Sequence, residues 1–486
     1  MLSAKMQQQQ QQPPHALMFP YPVQGHINPM MQLAKNMADR GFYVTFVNTD
    51  QNHERMFGKG STAVVGETMP NVHFEHIPDG MPKRPDHVNV TGILVEMTTA
   101  ILALSGPLAN LVRRIMNTEE CPPVTCIVSD AFCSWVQDVA DIFNIPRVAF
   151  WTSPVHANLA YTFLSTLQSH GHIPVKDKSQ LQETVECING IAPMRLDDYI
   201  SFYLIDDPSS DFLFQWHLRL GMKRSEEAAF NLGNNFEALE YEACRAFKEF
   251  VPNFLPIGPL LSVDILQCKP HMEAPAGISL MVEDATCNEW LSKHEKASVV
   301  YVSFGSMVNM PEEEVANIIL GLEMIGAPFL WVARPDQSSA ALSRFRESPS
   351  HQVLVVSWAP QIAVLTHPSV GLFISHCGWN SFLESMAGGV PILAKPGAFA
   401  EQRMNAHYIE EVWKVGHRLP DPVSACAVKS LVSSLLGSST EAADMKRRML
   451  KIKESARDAL TPEGSSITNF DIFVNDMYRR AGMTYS

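Results

Sequence analysis

The feature that most constrains the fold is a short apolar run followed at once by a glycine turn and a helix pattern. The run Gly371–Ser375 (GLFIS) suits a buried parallel strand. Gly378 permits a tight turn, and Asn380 and Ser381 are good helix starters. Backbone N–H groups and the helix dipole point outward from such a turn, so it attracts anions. The stretch predicts an α/β fold with an anion site at this turn.

Two side chains near the turn add features of a nucleotide site. Trp358 offers an aromatic face on which a base could stack. Glu384 lies one helical turn beyond Ser381, where a carboxylate could accept two hydrogen bonds from a ribose diol. The residues alone therefore indicate a site for a nucleoside diphosphate.

The stretch from Trp358 to Gln402 also resembles a known family. It holds W-x-P-Q, His367, HCGWNS, Glu384, GGVP and a final Glu–Gln pair in that order. This pattern closely resembles the signature box of plant-type UDP-dependent glycosyltransferases, the family 1 small-molecule glucosyltransferases. The resemblance continues over residues 15 to about 476. It implies the GT-B architecture, in which two Rossmann-like doubly wound domains face each other and a C-terminal helix crosses back to the first.

The rest of the chain alternates strand and helix patterns in two series, which agrees with two doubly wound α/β halves. In the first series, His15–Phe19 is predicted as a strand, residues 20–28 as a loop, and Pro29 as part of the first turn of a helix. The predicted divisions are a disordered Gln-rich tail over 1–14, an acceptor-binding domain over 15–257, a linker over 258–277, a UDP-sugar-binding domain over 278–460 and the crossing helix over 461–486.

His26 and Asp130 are candidates for a catalytic pair, because both follow predicted strands at the sheet edge where α/β folds bind ligands. A carboxylate beside a histidine fixes its tautomer and stabilises the imidazolium. From spacing alone, a hydrogen-bonded loop histidine is the favoured interpretation of His26. The resemblance favours catalysis, since GHINP and SDAF look like the family's base and supporting acid.

The resemblance also implies the donor residues. In the family, the matching positions stack on uracil, hold the ribose and meet the phosphates, while an acid–Gln pair binds the sugar hydroxyls. The residues implied for UDP are Ser306, Trp358, Ala359, Gln361, His376, Trp379, Asn380, Ser381 and Glu384, and those implied for the sugar are Thr152, Trp379, Glu401 and Gln402.

One loop departs from the family pattern. After Pro396, the segment GAFAEQ is one residue longer than usual. Either Gly397 and Ala398 absorb the extra residue in a bulge or Glu401 is displaced from the sugar. We expect absorption, because Gly397 adopts unusual backbone angles at little cost.

The composition and charge of the chain bear on its partners, its compartment and its need for a cofactor. The net charge of -14 disfavours a nucleic-acid partner, which needs a basic face. Nine cysteines without CxxC pairs suggest reduced thiols and a cytoplasmic protein. The sequence shows no signal peptide and no transmembrane segment. We expect a monomer that uses a UDP-sugar as co-substrate and needs no cofactor or metal, since no DxD-type acidic cluster accompanies the phosphate site.

The predicted function is an inverting UDP-glycosyltransferase of secondary metabolism. It would move glucose from UDP-glucose to a hydroxyl of a small lipophilic acceptor, such as a phenolic, flavonoid, terpenoid or hormone-like compound, and give a β-glycoside. One alternative is a non-catalytic UDP-sugar or small-ligand binder on the same fold. Another is an NAD-dependent oxidoreductase, but PYPVQGHINP lacks the Gly-rich fingerprint that such an enzyme needs after its first strand.

Overall fold

The structure is a computed structural model. It describes residues 12–58, 69, 71–80, 99–201, 204, 224–267, 283–305, 310–334, 339–347, 350–397 and 400–485. Two parallel sheets form the frame, and each is covered by helices on both faces. The Gln-rich tract up to residue 11, Ser306 and much of the predicted linker lie outside the described residues.

The first sheet has the strand order β3-β2-β1-β4-β5-β8-β9, and all its neighbouring strands pair in parallel. Its apolar strands are buried on both faces, as expected when helices cover a parallel sheet. The strands are β1 (His15–Phe19), β2 (Tyr43–Thr49), β3 (Val72–Ile77), β4 (Val124–Asp130), β5 (Arg147–Trp151), β8 (Phe230–Gly233) and β9 (Phe254–Pro256), and a separate antiparallel pair is formed by β6 (Thr184–Val185) and β7 (Met194–Arg195).

The second sheet repeats the arrangement with the order β12-β11-β10-β13-β14-β15. In both sheets the strand order reverses around the first strand, at β1/β4 and at β10/β13. Ligands of open α/β sheets bind at such switch points. The strands are β10 (Val299–Ser303), β11 (Phe329–Val332), β12 (Val353–Val356), β13 (Val370–Ser375), β14 (Ile392–Ala394) and β15 (Gly416–Arg418).

The helices follow the two series. Those beside the first sheet are α1 (Gln24–Asp39), α2 (Asp50–Phe57), α3 (Ser105–Met116), α4 (Val136–Phe143), α5 (Val155–Thr162), α6 (Leu164–Ser169) and α7 (Tyr241–Phe250). After α8 (Val263–Leu266) come α9 (Thr286–Leu291), α10 (Glu312–Glu323), α11 (Ala340–Glu347), α12 (Gln361–Thr366), α13 (Trp379–Gly388), α14 (Gln402–His407), α15 (Ala425–Leu436), α16 (Thr440–Ala459) and α17 (Ser465–Arg480). Short 3-10 turns occupy Lys178–Gln182 and Leu196–Asp198, and a π turn, Tyr408–Val412, continues α14.

The last helix, α17, crosses back to the first sheet, as the resemblance implied. Its apolar face, which includes Phe473 and Met477, is buried in one core with Met30 and Phe42. Burying each such side chain contributes about 1.5–3 kcal/mol. Ser466 Oγ also donates to the carbonyl of Gly258 at 2.6 Å. The predicted GT-B architecture is therefore confirmed.

Two further observations concern sequence predictions. No helix in the described ranges is both long enough and apolar enough to cross a membrane. Each of the eight cysteines within these ranges carries a free thiol. The compartment and the monomeric state remain predictions.

Candidate active site

The first switch point brings His26 and Asp130 together. Asp130 is the last residue of β4 and is fully buried, and its Oδ2 lies 2.7 Å from His26 Nδ1. Its Oδ1 accepts from the backbone N–H of Phe132 at 2.9 Å, which fixes the carboxylate. A carboxylate can only accept, so the proton of the imidazole lies on Nδ1 and Nε2 keeps the lone pair. The His26 side chain is 22% exposed, so this lone pair is available to a bound molecule.

The sequence prediction for the chain around His26 is wrong in one respect. Helix α1 begins at Gln24, so His26 lies in its first turn, and Pro29 is inside the helix. Proline has no N–H, so the carbonyl of Gly25 loses its helical partner four residues on. That carbonyl instead accepts from Asn380 Nδ2 of the second half at 2.8 Å. The helix therefore tolerates Pro29, and the freed carbonyl joins the predicted base to the predicted donor helix.

The surroundings of His26 adjust its basicity. Burial alone would lower the pKa of His26, but the charge and hydrogen bond of Asp130, together with the charge of Glu401, raise it. Glu401 belongs to the second half, so the pKa of this histidine depends on residues from both halves. A base with a raised pKa holds an abstracted proton more firmly.

Two other neighbours define the space beside the histidine. Thr152, implied for the sugar, has its Oγ1 2.9 Å from His26 Nδ1. The rings of Tyr21 and Phe132 lie 5.2 and 5.7 Å from the imidazole, centroid to centroid. Tyr161 packs edge-on against Phe132 at 5.4 Å. The wall beside the predicted base is therefore largely aromatic.

The second switch point carries the predicted anion site. Helix α13 begins at Trp379 with Gly378 as its N-cap, and its first helical bond runs from Phe382 N to Gly378 O at 3.0 Å. Asn380 and Ser381 therefore lie in the first turn and do not cap the helix. The N–H groups of residues 379–381 precede this first helical bond, which is the arrangement that binds phosphate.

His376 lies directly before this helix, between two glycines. A Cβ on Gly305 or on Gly378 would come within 2.7 or 2.6 Å of His376 Nε2, so both positions must stay small. Burial lowers the pKa of His376 to about 4. The imidazole is therefore neutral at physiological pH, and it hydrogen-bonds to the backbone of Ser303.

The residues implied for the base and ribose form one hydrogen-bonded group. Gln361 Nε2 donates to Ser381 Oγ at 2.9 Å and to Glu384 Oε2 at 2.5 Å. Tyr301, which the sequence did not single out, donates its hydroxyl to Gln361 Oε1 at 3.0 Å. In the sequence, its position in the middle of the otherwise aliphatic run of β10 was the sign that could have indicated a functional tyrosine. Three hydrogen bonds therefore link Tyr301, Gln361, Ser381 and Glu384.

Glu384 titrates close to neutrality. Burial raises its pKa to about 7, although the hydrogen bond from Gln361 partly opposes the shift. Only the ionised form offers all its lone pairs to the two ribose hydroxyls. Protonation below this pKa should therefore weaken the binding of a uridine nucleotide.

We predict that UDP-glucose binds about tenfold more weakly at pH 6 than at pH 8, with an inflection near 7. The measurement uses UDP-glucose instead of UDP, because the phosphates of UDP-glucose do not titrate in this pH range. The dissociation constant is measured by calorimetry across the pH series without acceptor. Glu384→Gln should bind more weakly at pH 8 and lose the inflection. An inflection that persists in this variant would assign the pH dependence to another group.

The other implied donor residues lie around this group. Trp358 is partly buried against the hydrophobic core beside the second sheet that contains Tyr301 and Phe373, and Ala359 is buried in that core. The indole of Trp379 is buried, and its Nε1 donates to the carbonyl of Asn234 in the first half at 2.9 Å. The Trp379 side chain thus joins the two halves, and its backbone N–H belongs to the helix start. Ser306 lies outside the described residues.

The irregular loop before α14 keeps Glu401 in the site. Gln402 Oε1 accepts from the backbone N–H of Gly397 at 3.0 Å, which closes the loop. Among the described residues of this loop, Ala400 has a left-handed backbone, with φ of 49°, and Gly397 does not. Glu401 accepts a hydrogen bond from the Tyr161 hydroxyl and interacts electrostatically with His26. The expectation that Gly397 and Ala398 absorb the extra residue stays a prediction, since residues 398–399 lie outside the described part of the loop; Glu401 interacts with the predicted base.

Arg334 is a second residue that the sequence analysis missed. It is buried, and its Nη1 donates to the carbonyl of Gly305 at 3.1 Å beside His376. Its charge contributes to the lowered pKa of His376. Within the described ranges, no group of three or more His, Cys, Asp or Glu side chains is arranged to hold a metal ion.

Known proteins resemble this chain over nearly its whole length. The family model described as "Glycosyltransferase, N-terminal domain" matches residues 15–201, and the model for UDP-glucuronosyl and UDP-glucosyl transferases matches residues 261–437. Linamarin synthase 1 of Manihot esculenta is 36% identical, with 96% of this chain and 97% of that protein covered. (R)-mandelonitrile beta-glucosyltransferase of Prunus dulcis is also 36% identical, with 93% and 95% covered.

Solved structures share the architecture. UGT2 of Phytolacca americana, complexed with UDP-2-fluoro-glucose and pterostilbene, superimposes with a TM-score of 0.75 at 25% identity, and 96% of this chain and 99% of that chain are covered. A UDP-glucose:anthocyanidin 3-O-glucosyltransferase in complex with UDP gives a TM-score of 0.78 at 25% identity, with 95% and 98% covered.

Proposed function

Because this chain belongs to the family of UDP-dependent glycosyltransferases, we propose that it transfers glucose from UDP-glucose to a hydroxyl of a small, largely apolar acceptor. One observation carries the proposal: the His26–Asp130 pair of the first half lies against donor-site residues of the second. Asn380 bonds the carbonyl next to His26, and the charge of Glu401 acts on the imidazole. A base and a sugar site that meet in this way support group transfer more than storage of a ligand.

The proposed reaction is one in-line displacement. The acceptor oxygen attacks the anomeric carbon, and its proton passes to His26 Nε2. The bond between that carbon and the β-phosphate oxygen breaks, and UDP leaves with the electron pair. Asp130 stabilises the imidazolium, while N–H groups at the start of α13 stabilise the charge on the phosphate. A single displacement inverts the α-linked donor to a β-glycoside.

The donor assignments extend this proposal. Trp358 and Ala359 would hold uracil, Gln361 and Glu384 the ribose, and Ser381, Asn380, His376 and Ser306 the phosphates. Glu401 and Gln402 would bind the sugar hydroxyls, with Trp379 contributing its backbone. Thr152, which lies beside His26, would contact the sugar. Support comes from the bond between Gln361 and Glu384 and from the nearness of Glu401 to His26.

The aromatic wall around His26 bears on the acceptor. Tyr21, Phe132 and Tyr161 surround the predicted base and suit a phenolic, flavonoid, terpenoid or hormone-like compound. The names of the two relatives above record linamarin synthesis and glucosyl transfer to mandelonitrile, which are compatible with a small acceptor.

An activity screen tests the proposal. The purified chain is incubated with UDP-glucose, UDP-galactose, UDP-xylose or UDP-glucuronic acid and a panel of hydroxylated acceptors, and UDP release is measured. We expect acceptor-dependent release, and more of it with UDP-glucose than with the other donors. If the chain were a non-catalytic binder, UDP-glucose would bind but no acceptor would release UDP.

Glu401→Ala tests the sugar site separately. We predict that KM for UDP-glucose rises about tenfold to a hundredfold, because charged hydrogen bonds to sugar hydroxyls contribute about 1.5–3 kcal/mol. The affinity for UDP, which has no sugar, should stay within about twofold of wild type. Glu289→Ala, at an exposed glutamate paired with Lys293, is the control. Unchanged donor affinity and turnover in Glu401→Ala would show that the longer loop removes Glu401 from the site.

A further inference from the structure

Two consecutive aspartates of the first half pair with two arginines of the second, and we call these four residues the Asp–Arg clasp. Asp198 Oδ1 accepts from Arg418 Nη1 at 2.5 Å. Asp197 accepts from Arg403 through both its side chain and its backbone carbonyl. The aspartates lie in the 3-10 turn after β7, and the arginines lie on α14 and at the end of β15. Both ion pairs therefore bridge the two halves.

The clasp is attached to the irregular loop that carries the predicted sugar acid. Arg403 directly follows Gln402, and its carbonyl accepts from Arg418 Nη2 at 3.2 Å. On the other side of Glu401, the carbonyl of Ala400 accepts from the backbone N–H of Ser201 at 3.2 Å. The Glu401–Gln402 pair is thus held from both directions by the segment 197–201 of the first half.

The two ion pairs differ in exposure. Asp198 is 2% exposed, and Arg195 Nε lies 3.5 Å from it besides Arg418. His407 Nδ1 lies 3.8 Å away, but burial lowers the pKa of this imidazole and favours its neutral form. Asp197 and Arg403 are partly exposed, at 33% and 26% of their side chains. A buried, well-paired carboxylate fixes geometry strongly, because its partner becomes an unpaired buried charge if it is removed. Asp198 and Arg418 should therefore contribute more to positioning than Asp197 and Arg403.

We propose that the Asp–Arg clasp positions Glu401 and Gln402 for the sugar, so that Asp198 and Arg418 are positioning residues for donor recognition. This inference rests on the proposed function, because it requires a UDP-sugar in the cleft. Among the described residues implied for uracil, ribose and phosphate, Gln361 lies on α12, residues 379–381 and 384 lie on α13, and Trp358, Ala359 and His376 lie just before these helices; the four clasp residues lie on other elements. Weakening the Asp–Arg clasp should therefore impair recognition of the sugar part of the donor and leave the binding of the UDP part unchanged.

The test uses Asp198→Asn, which keeps the side-chain volume and removes the charge. Asp138→Asn is the matched control, since Asp138 also pairs with an arginine, Arg224, but within the first half. We expect KM for UDP-glucose to rise at least about tenfold in Asp198→Asn and the preference for UDP-glucose over UDP-galactose to fall, because small displacements of positioning groups cost up to about 10²-fold. The dissociation constant of UDP should stay within about twofold of wild type.

If Asp198→Asn does not fold, Asp197→Asn and Arg403→Gln provide the same readouts at partly exposed positions, and the double variant should lose no more than the larger single loss. Equal losses of UDP and UDP-glucose affinity would overturn the proposal and make the clasp a structural contact only. Unchanged KM and donor preference would overturn it as well. If the wild-type chain failed to turn over UDP-glucose, the proposed function itself would fail, so the two failures are distinguishable.

Discussion

Replacing His26 by alanine is expected to lower kcat by about 10³- to 10⁴-fold, because the variant loses the proposed general base for the acceptor hydroxyl. The His26–Asp130 pair is joined at 2.7 Å, and Nδ1 is occupied by the carboxylate, so Nε2 is the nitrogen that can act. The affinity for UDP should stay within about twofold of wild type, since the predicted nucleotide contacts lie in the second half. Initial rates and calorimetry measure the two quantities.

His76→Ala provides the control for His26→Ala. His76 of β3 is also paired with an aspartate, Asp50 of α2, with Nδ1 2.6 Å from Oδ1, but its side chain is half exposed. Normal turnover in His76→Ala would show that the loss in His26→Ala is not a general effect of removing a His–Asp pair from the first half. Near-normal turnover in His26→Ala would remove His26 as the base.

The second large effect is expected for Asp130→Asn. Its charge and hydrogen bond raise the pKa of His26, so replacing it by a neutral amide should lower that pKa. A base must be unprotonated to act, so activity rises with pH through this pKa. The acidic inflection of kcat/KM should therefore move to lower pH in the variant, even though the plateau falls.

The plateau of Asp130→Asn should fall about 10³-fold, because the amide can donate to Nδ1 and favour the tautomer that carries its proton on Nε2. The buried carboxylate is nearly isosteric with asparagine, and circular dichroism with thermal unfolding checks that the fold is kept. Asp138→Asn, at an exposed aspartate, serves as the control. An unchanged plateau with an unchanged inflection would show that Asp130 is only a structural partner of the histidine.

The fold could be predicted from sequence because its causes are local. Strands such as Val299–Ser303 and Val370–Ser375 are continuous apolar runs, and glycine turns and helix patterns follow them. The repeated order of strand and helix then allows few arrangements. The family pattern supplied the site residues, and the structure places His26 near Asp130 and Gln361 near Glu384, as a common site requires.

What the sequence could not give depends on contacts between distant parts of the chain. Pro29 sits inside α1 because Asn380 satisfies the carbonyl that proline leaves unpaired, and the two residues are about 350 positions apart. Ala400 holds the left-handed position that glycine would ordinarily take, in a loop fixed by Ser201 and the clasp. Each clasp pair joins residues more than 200 positions apart. Neither propensity nor periodicity contains such information.

The acceptor is the part of the function least determined by pattern. The segments around residues 81–98 and 205–223, where the sequence is irregular, lie outside the described residues. The aromatic residues beside His26 specify an apolar wall but not a particular molecule. The acceptor screen is therefore the experiment that identifies the acceptor.

The central claim is that the two halves build one site, in which a base from the first half directs a single displacement at a sugar held by the second. The anomeric configuration of the product tests it most directly. UDP-glucose and the best acceptor are incubated with the wild-type chain, and the anomeric configuration of the glycoside is determined by proton NMR. We expect a β-glucoside formed in equal amount with UDP; an α-glucoside, or UDP released without any glycoside, would contradict the single displacement.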